Sequence, residues 1–515
     1  MGAEPFRRAT VAYCKQFAYK NALTSDLWAA MSKEKGIDVS SIMNAWTTQT
    51  GFPILDLQEN DSGDSRVLSF KVTQSRFLQD GPAKTAETWP VPVSFLVSGQ
   101  KAGAGVAVGE QLFSAKEGVL TVQLPASGFE KASDASNFWV KLNAGQLGMY
   151  RVRYPPKMFA ALCKAVAERD PLLSPADRLG VQSDAFALAR CGLLSTVQLL
   201  QLVESYSTET EYTVWADLLS NLADLSVLLQ PQPATYALFS AFMNRLLSKI
   251  LAQIGWDKKP DEEHTVSLLR AKIIGVSGKY GDRRTIETGL QKYAAFLASG
   301  QALGGKDVAE QEEKSASASS SSSGAAASKS VVLSPDLRSA VYSMVVAKGG
   351  LFGYEALLYQ HSQVTMSEEA VRCLQALASS TEPELLQRTL DYALSTLRAQ
   401  DGPSLISAVA ANRLGLQLTW TWLQSNWAAI LVKWTQSSSL SRIVSSLSNL
   451  TTLQSKQQVE AFFASHAHPG AERAVKQAIE RIESNAAWIA RDYAATSEWL
   501  SQQQLEAEAA KQQQK

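Results

Sequence analysis

The spacing of apolar residues changes twice along this 515-residue chain, and the two changes constrain what it can fold into. Up to Thr50 the period is helical. Val39, Ile42, Met43 and Trp46 recur at i, i+3, i+4 and i+7, a single stripe that follows Asp38, a good acceptor for the open N–H groups of a first turn. Gly51 stands where a left-handed residue ends a helix, and Pro53 forbids its continuation. An earlier helix is predicted to be capped by Thr24 or Ser25, with Asp26 in its first turn. Residues 5–20 read as another, with Phe6, Val11, Tyr13, Cys14 and Phe17 as apolar positions.

From Asp56 to Tyr154 the period is two. Leu68, Phe70 and Val72 alternate, as do Val91, Val93, Phe95 and Val97, and Leu120, Val122 and Leu124. Breaks fall at Gly63, Gly81-Pro82, Gly118 and Pro125, so short strands in a small β-sandwich are expected. The segment Asn137 to Tyr154 closes it, with Gly145 and Gly148 around a turn.

After Pro155 the helical period returns. Asp177 to Ser205 divides into two helices at Cys191-Gly192, and Glu211 to Leu229 forms the next. Paired helices with short connections point to a solenoid-like superhelix, without the self-similarity of a standard repeat family. The expected fold is mainly α with a small β domain: a helical remnant over 1–55, a β-sandwich over 56–154 and an α-helical superhelix over 155–500. A Ser/Ala-rich insert, 306–331, is expected to be a disordered loop, and the Gln-rich tail 501–515 to fray.

Charge and motifs exclude several functions. Lys+Arg and Asp+Glu both number 49, so no basic footprint marks a nucleic-acid or membrane partner. Cys14, Cys163, Cys191 and Cys373 form no CxxC pair and read as free thiols in a reducing compartment. The N-terminus has no apolar signal region, and Phe6 stands where a myristoylation site needs a hydroxyl. The apolar stretch Tyr236 to Ile254 is interrupted by Arg245 and Lys249, so no membrane span is expected and the location is read as cytoplasmic.

His264, His361, His466 and His468 are followed by Thr, Ser, Ala and Pro, so none begins HExxH. His466 and His468 have Glu472 nearby, but Pro469-Gly470 marks a loop and no third ligand is evident. Gly103, Gly105 and Gly109 miss the dinucleotide spacing and read as a loop in the sandwich. The stretch from Gly300 to Gly305-Lys306-Asp307 has Asp where a phosphate loop needs Ser or Thr. Trp420, Leu423 and Trp427 share one helix face with Trp422 beside them, a packing pattern. Asp177-Arg178 and Glu211-Tyr212 read as polar contacts between neighbouring helices.

Several longer phrases carry a resemblance. DLW (Asp26 to Trp28) and VSSIMNAWTTQTGFP (Val39 to Pro53) resemble the join between catalytic and β-sandwich domains in gluzincin zinc aminopeptidases. NFWVKLNAGQLGMYRVRY (Asn137 to Tyr154) is similar to the end of that family's sandwich. IGWDKKPDEEH (Ile254 to His264), DLRSAVY (Asp336 to Tyr342), GLQLTWTWLQSNW (Gly415 to Trp427) and the stretch Phe462 to Asp492 match its ERAP-like helical domain in order and spacing.

The resemblance implies the C-terminal part of an enzyme that removes N-terminal residues from peptides, whose helical domain encloses the peptide. It also implies Zn2+ in the complete enzyme, held through HExxH, and a GxMEN glutamate for the substrate amine. Neither motif occurs here, so no catalytic, cofactor-binding or metal residue is assigned and the chain alone is expected to be inactive. The implied partners are peptides and the missing catalytic domain, and the abrupt start at Phe6 inside a family phrase reads as truncation. The alternative is a non-catalytic peptide- or protein-binding scaffold, tenable where Phe6, Val11, Cys14, Phe17, Ile42, Met43 and Trp46 find cover.

Overall fold

The computed structural model describes every residue except 61, 62, 65, 82, 84, 85, 99–105, 124–137, 304–331, 435–437, 514 and 515. The insert 306–331, Gly103, Gly105, Pro125 and Gly305-Lys306-Asp307 lie outside the described residues. Contacts divide the chain into two compact units, Met1–Tyr206 and Ser207–Lys515.

The first unit opens with α1 (Ala3–Gln16), α2 (Thr24–Lys35) and α3 (Val39–Thr48). Leu23, not Thr24 or Ser25, holds the cap position of α2. The Asp26 carboxylate reaches back to accept from the Leu23 N–H at 2.8 Å, which keeps Leu23 extended and frees Thr24 for the helix. Asp38 caps α3 by accepting from the Ser41 N–H at 3.1 Å. Gly51 has a φ of +91°, but α3 has already ended at Thr48. It turns the chain into the first strand, where a Cβ would stand 2.7 Å from the Arg76 Nε. Ala9, Met31 and Val39 bury one another, with Leu27, Trp28 and Met43 against them.

Two sheets follow. The first has the order β5-β2-β1-β7, from β1 (Pro53–Asn60), β2 (Val67–Arg76), β5 (Glu117–Gln123) and β7 (Arg151–Arg153). The second is β4-β3-β6, from β3 (Val91–Val97), β4 (Val106–Phe113) and β6 (Val140–Leu142). Neighbours are antiparallel except β1 and β7, which run parallel with Leu55 beside Val152. Alternation is expressed as burial: Leu68, Phe70, Val72, Val91, Val93, Phe95, Leu120 and Val122 all point inward. Gln74 continues that inner face. Its side chain accepts from the Trp89 N–H at 2.5 Å and donates to the Trp89 carbonyl at 3.1 Å, so a fully buried amide is satisfied. Gly109, expected in a loop, lies within β4 at the register shift between the Ser94–Glu110 and Leu96–Ala107 pairs, where its φ of +49° suits glycine. Helices α4 (Pro156–Ala167), α5 (Pro175–Arg190) and α6 (Thr196–Ser205) complete this unit.

The second unit is helical throughout its described residues. It contains α7 (Tyr212–Leu229), α8 (Pro233–Ile254), α9 (His264–Lys279), α10 (Arg283–Ala298) and α11 (Pro335–Gln363). Then come α12 (Ser367–Leu377), α13 (Pro383–Ser395), α14 (Gly402–Ala410), α15 (Gly415–Trp434), α16 (Ser438–Ser445), α17 (Leu453–Ser465) and α18 (Glu472–Gln513). Helix α11 is broken at Gly350, whose φ of 52° and ψ of −135° leave the helical region. Trp420, Trp422, Leu423 and Trp427 are all core, and each fully buried apolar side chain of that size contributes about 1.5–3 kcal/mol. Helix α18 buries Ala474, Ala478, Ile482, Asn485, Trp488, Asp492, Thr496 and Leu500, one stripe at three- and four-residue steps. The Gln-rich end expected to fray continues this helix to Gln513, because Gln502 and Gln504 bond Glu506 and Glu508 one turn on and Arg245 reaches Gln504. Among the described residues no helix is long and apolar enough to cross a membrane.

Candidate functional site

A cluster of buried charge lies where β6, its following turn and β7 meet α5. Helix α5 carries Asp177 and Asp184 seven residues apart, two turns on one face. Each carboxylate accepts from backbone N–H and pairs with one cation. Asp177 Oδ1 accepts from the Gly145 N–H at 2.7 Å and pairs with Lys141 Nζ at 3.0 Å. Asp184 accepts from the Val152 N–H and pairs with Arg151, both at 3.1 Å. Lys141 is only 2% exposed; its ammonium also donates to the Leu142 and Asn143 carbonyls at 3.1 and 2.8 Å.

The turn is built to hold this arrangement. Asn143 adopts a φ of +60°, tolerable for asparagine, and its amide bonds both the N–H and the carbonyl of Gly148. Gly180 on α5 leaves room for the Gln146 side chain, since a Cβ there would come within 2.1 Å of its oxygen. Ser174 caps α5 in a reciprocal box with Asp177, so one carboxylate serves helix, turn and lysine together. The expected helix–helix role of Asp177 is therefore replaced by a helix-to-turn contact. Arg178 instead donates to the Leu173 carbonyl at 2.6 Å, and Glu211 occupies the N-cap position of α7 without a side-chain cap bond.

Beside this cluster is a cavity of about 630 Å3, walled by Asp56 and Glu59 of β1, Arg153, Tyr154, Phe159 of α4 and Leu188 of α5. Burial lowers the Lys141 pKa and raises that of Tyr154 well above the usual phenol value. Burial also pushes the Asp184 carboxyl up to about 6, although Arg151 and the Val152 N–H pull the other way. A value raised in the fold favours the protonated form. The stability this group contributes is fully present below its unfolded value and is lost as pH rises through about 6. Asp184→Asn is expected to flatten that part of the profile, so stability between pH 4.5 and 7 should fall less steeply than in the parent. Urea unfolding across this range checks it, and equal slopes would refute it.

The histidines are elsewhere and apart. His264 starts α9 and His361 lies in the last turn of α11. His466 follows α17, its ring stacked on Phe462 at 4.3 Å and its Nδ1 2.9 Å from the Phe462 carbonyl. His468 Nδ1 accepts from the Gly470 N–H at 3.2 Å. Among the described residues no three His, Cys, Asp or Glu side chains could hold a metal ion, so they do not fit the zinc that the resemblance implies. The charged groups of the α5 cluster are likewise spent on one another. They brace a junction, and of the four Asp184 also lines the cavity.

The sequence profile of the ERAP1-like C-terminal domain family matches residues 139–484. The chain belongs to this family. The matched span takes in β6, β7 and α5 with all four charges of the cluster. The relatives are aminopeptidases. Aminopeptidase M1-A of Oryza sativa subsp. japonica is 31% identical over 95% of this chain and 51% of its own length. Aminopeptidase M1 of Arabidopsis thaliana is 30% identical over 95% and 52%, and glutamyl aminopeptidase of Homo sapiens 25% identical over 96% and 48%. The chain spans about half the length of the curated relatives it matches. These matches agree with the resemblance carried by the phrases between Asp26 and Asp492.

Proposed function

We propose that this chain is the non-hydrolytic, C-terminal module of a zinc aminopeptidase. In this reading its helical unit encloses peptides and governs their access, while zinc and the hydrolytic groups come from a separate catalytic domain. The observation that supports it is the match to half of each aminopeptidase, together with histidines too scattered to form a metal site among the described residues. Helices α1–α3 would meet the catalytic domain. Phe6 and Val11 are 52% and 41% exposed, and Leu23 and Ile37 are exposed as well. The cytoplasm is the proposed place of action.

Purified alone, the chain should hold no stoichiometric zinc and hydrolyse no aminoacyl substrate. Elemental analysis with a fluorogenic aminopeptidase assay tests both. One tightly bound zinc per chain with chelator-sensitive turnover would overturn the reading. A non-catalytic scaffold for peptides or proteins is the second reading, favoured by the cover that Ala9, Met31 and Val39 find in one another. An apolar dye separates the two: dye binding lost on Phe6→Ser with Val11→Ser supports an undocked module, and no dye binding supports the scaffold.

A further inference from the structure

The helical unit contains a hollow of about 660 Å3 whose charge is one-sided. Lys272 and Lys279 of α9, Lys348 of α11 and Arg413, between α14 and α15, line it, and none of its lining residues is acidic. In a chain with equal numbers of acidic and basic residues, four cations without a carboxylate is a local excess. Among the described residues none of the four forms an ion pair. Like charges sharing a concavity repel one another, and its walls focus the potential on whatever enters.

The turn that carries Arg413 is held in place. Asn412 donates from its amide to the Ala378 and Ser380 carbonyls, both at 2.8 Å, and its own oxygen accepts from the Leu414 N–H at 2.9 Å. This fixes the turn that carries Arg413, whose guanidinium lies 6.0 Å from the Tyr236 ring centre. The Lys279 side chain is open to water yet stands within the concavity, and desolvation there lowers its pKa. Gly275 lets α9 pack closely on α11 in the wall, since a Cβ there would stand 3.4 Å from that of Ala340. The volume falls in the range of about 300–1,000 Å3 usual for small-molecule sites.

We propose that this hollow binds a small molecule bearing two or more oxyanion groups, held chiefly by Lys279 and Arg413. A single carboxylate would leave most of the positive charge unanswered, whereas a polycarboxylate or a diphosphate can engage several donors at once. The proposal stands on the geometry of the hollow and does not depend on the aminopeptidase reading.

Calorimetric titration of the full 515-residue chain with pyrophosphate and with citrate, at matched ionic strength, tests it. One saturable site is expected for at least one of them. Lys279→Gln or Arg413→Gln should each weaken it about tenfold, and the pair about a hundredfold. Lys249→Gln, an exposed lysine outside the hollow, should leave it unchanged. Binding of pyrophosphate alone would identify a phosphate ligand, binding of citrate alone a polycarboxylate, and binding of both the shared chemistry. Absence of saturable binding to either would overturn the proposal. So would binding that survives in a double variant whose thermal unfolding matches the parent, or that survives Lys348→Gln combined with Arg413→Gln.

Discussion

Asp177→Ala is expected to destabilise the first unit by about 3–5 kcal/mol, the range for stranding one partner of a buried ion pair. Its carboxylate and the Lys141 ammonium are 3% and 2% exposed, so neither regains water when the other is lost. The variant leaves Lys141 with only the Leu142 and Asn143 carbonyls and the Gln146 amide oxygen, and it frees the Gly145 N–H. It also removes the N3 side of the box that caps α5. Lys141→Met should cost less, because Asp177 keeps the Gly145 N–H and the Ser174 N–H and hydroxyl. Urea unfolding of the three proteins checks this order. A loss below about 1 kcal/mol for Asp177→Ala would show that the pair is not the brace described above.

Glu262→Ala is expected to have the corresponding effect in the second unit. Arg270, 3% exposed, places two N–H groups on the two Glu262 oxygens at 2.7 and 2.5 Å. Without them the guanidinium retains only two long contacts to the Ile254 carbonyl, at 3.4 and 3.3 Å. The pair is shielded from water but close to the surface, so a loss near about 3 kcal/mol, the lower end for such pairs, is expected. The Arg270 hydrogen bonds hold the Glu262 carboxyl down at about 2. Its contribution is therefore present above the usual carboxylate range and lost as pH falls through about 2. Glu262→Ala with Arg270→Met should recover part of the stability, since no unpaired charge remains. A double variant no more stable than Glu262→Ala would count against charge as the cause.

Much of the local structure was legible because it depends on neighbours in sequence. Asp38 before a stripe of Val39, Ile42, Met43 and Trp46 specifies a capped helix wherever it is placed. Gly192, with a φ of 82°, ends one helix and starts the approach to the next. The alternation of β2, β3 and β5 was readable for the same reason. Strand β4 was not, because Gly109 interrupts it at a register shift, and only the pairing to β3 on either side of that shift makes it a strand. The cap of α2 was misplaced by one or two residues, since the choice lay in whether Asp26 or a hydroxyl supplied the acceptor.

The family phrases also belonged to the sequence, and the matches to aminopeptidases agree with them. The tertiary structure alone decided which charges meet. Lys141 lies in a strand whose residues are all buried, and nothing near it in sequence announces a carboxylate. Asp177 and Asp184 share a helix face, but their partners become evident only once β6 and β7 lie against α5. Lys272, Lys279, Lys348 and Arg413 are scattered along the chain and become one hollow only through the packing of α9, α11 and the turn before α15. Periodicity and caps act over a few residues, so a sequence displays them directly. Charge pairing acts across the distances that folding closes, so it is written in the packing.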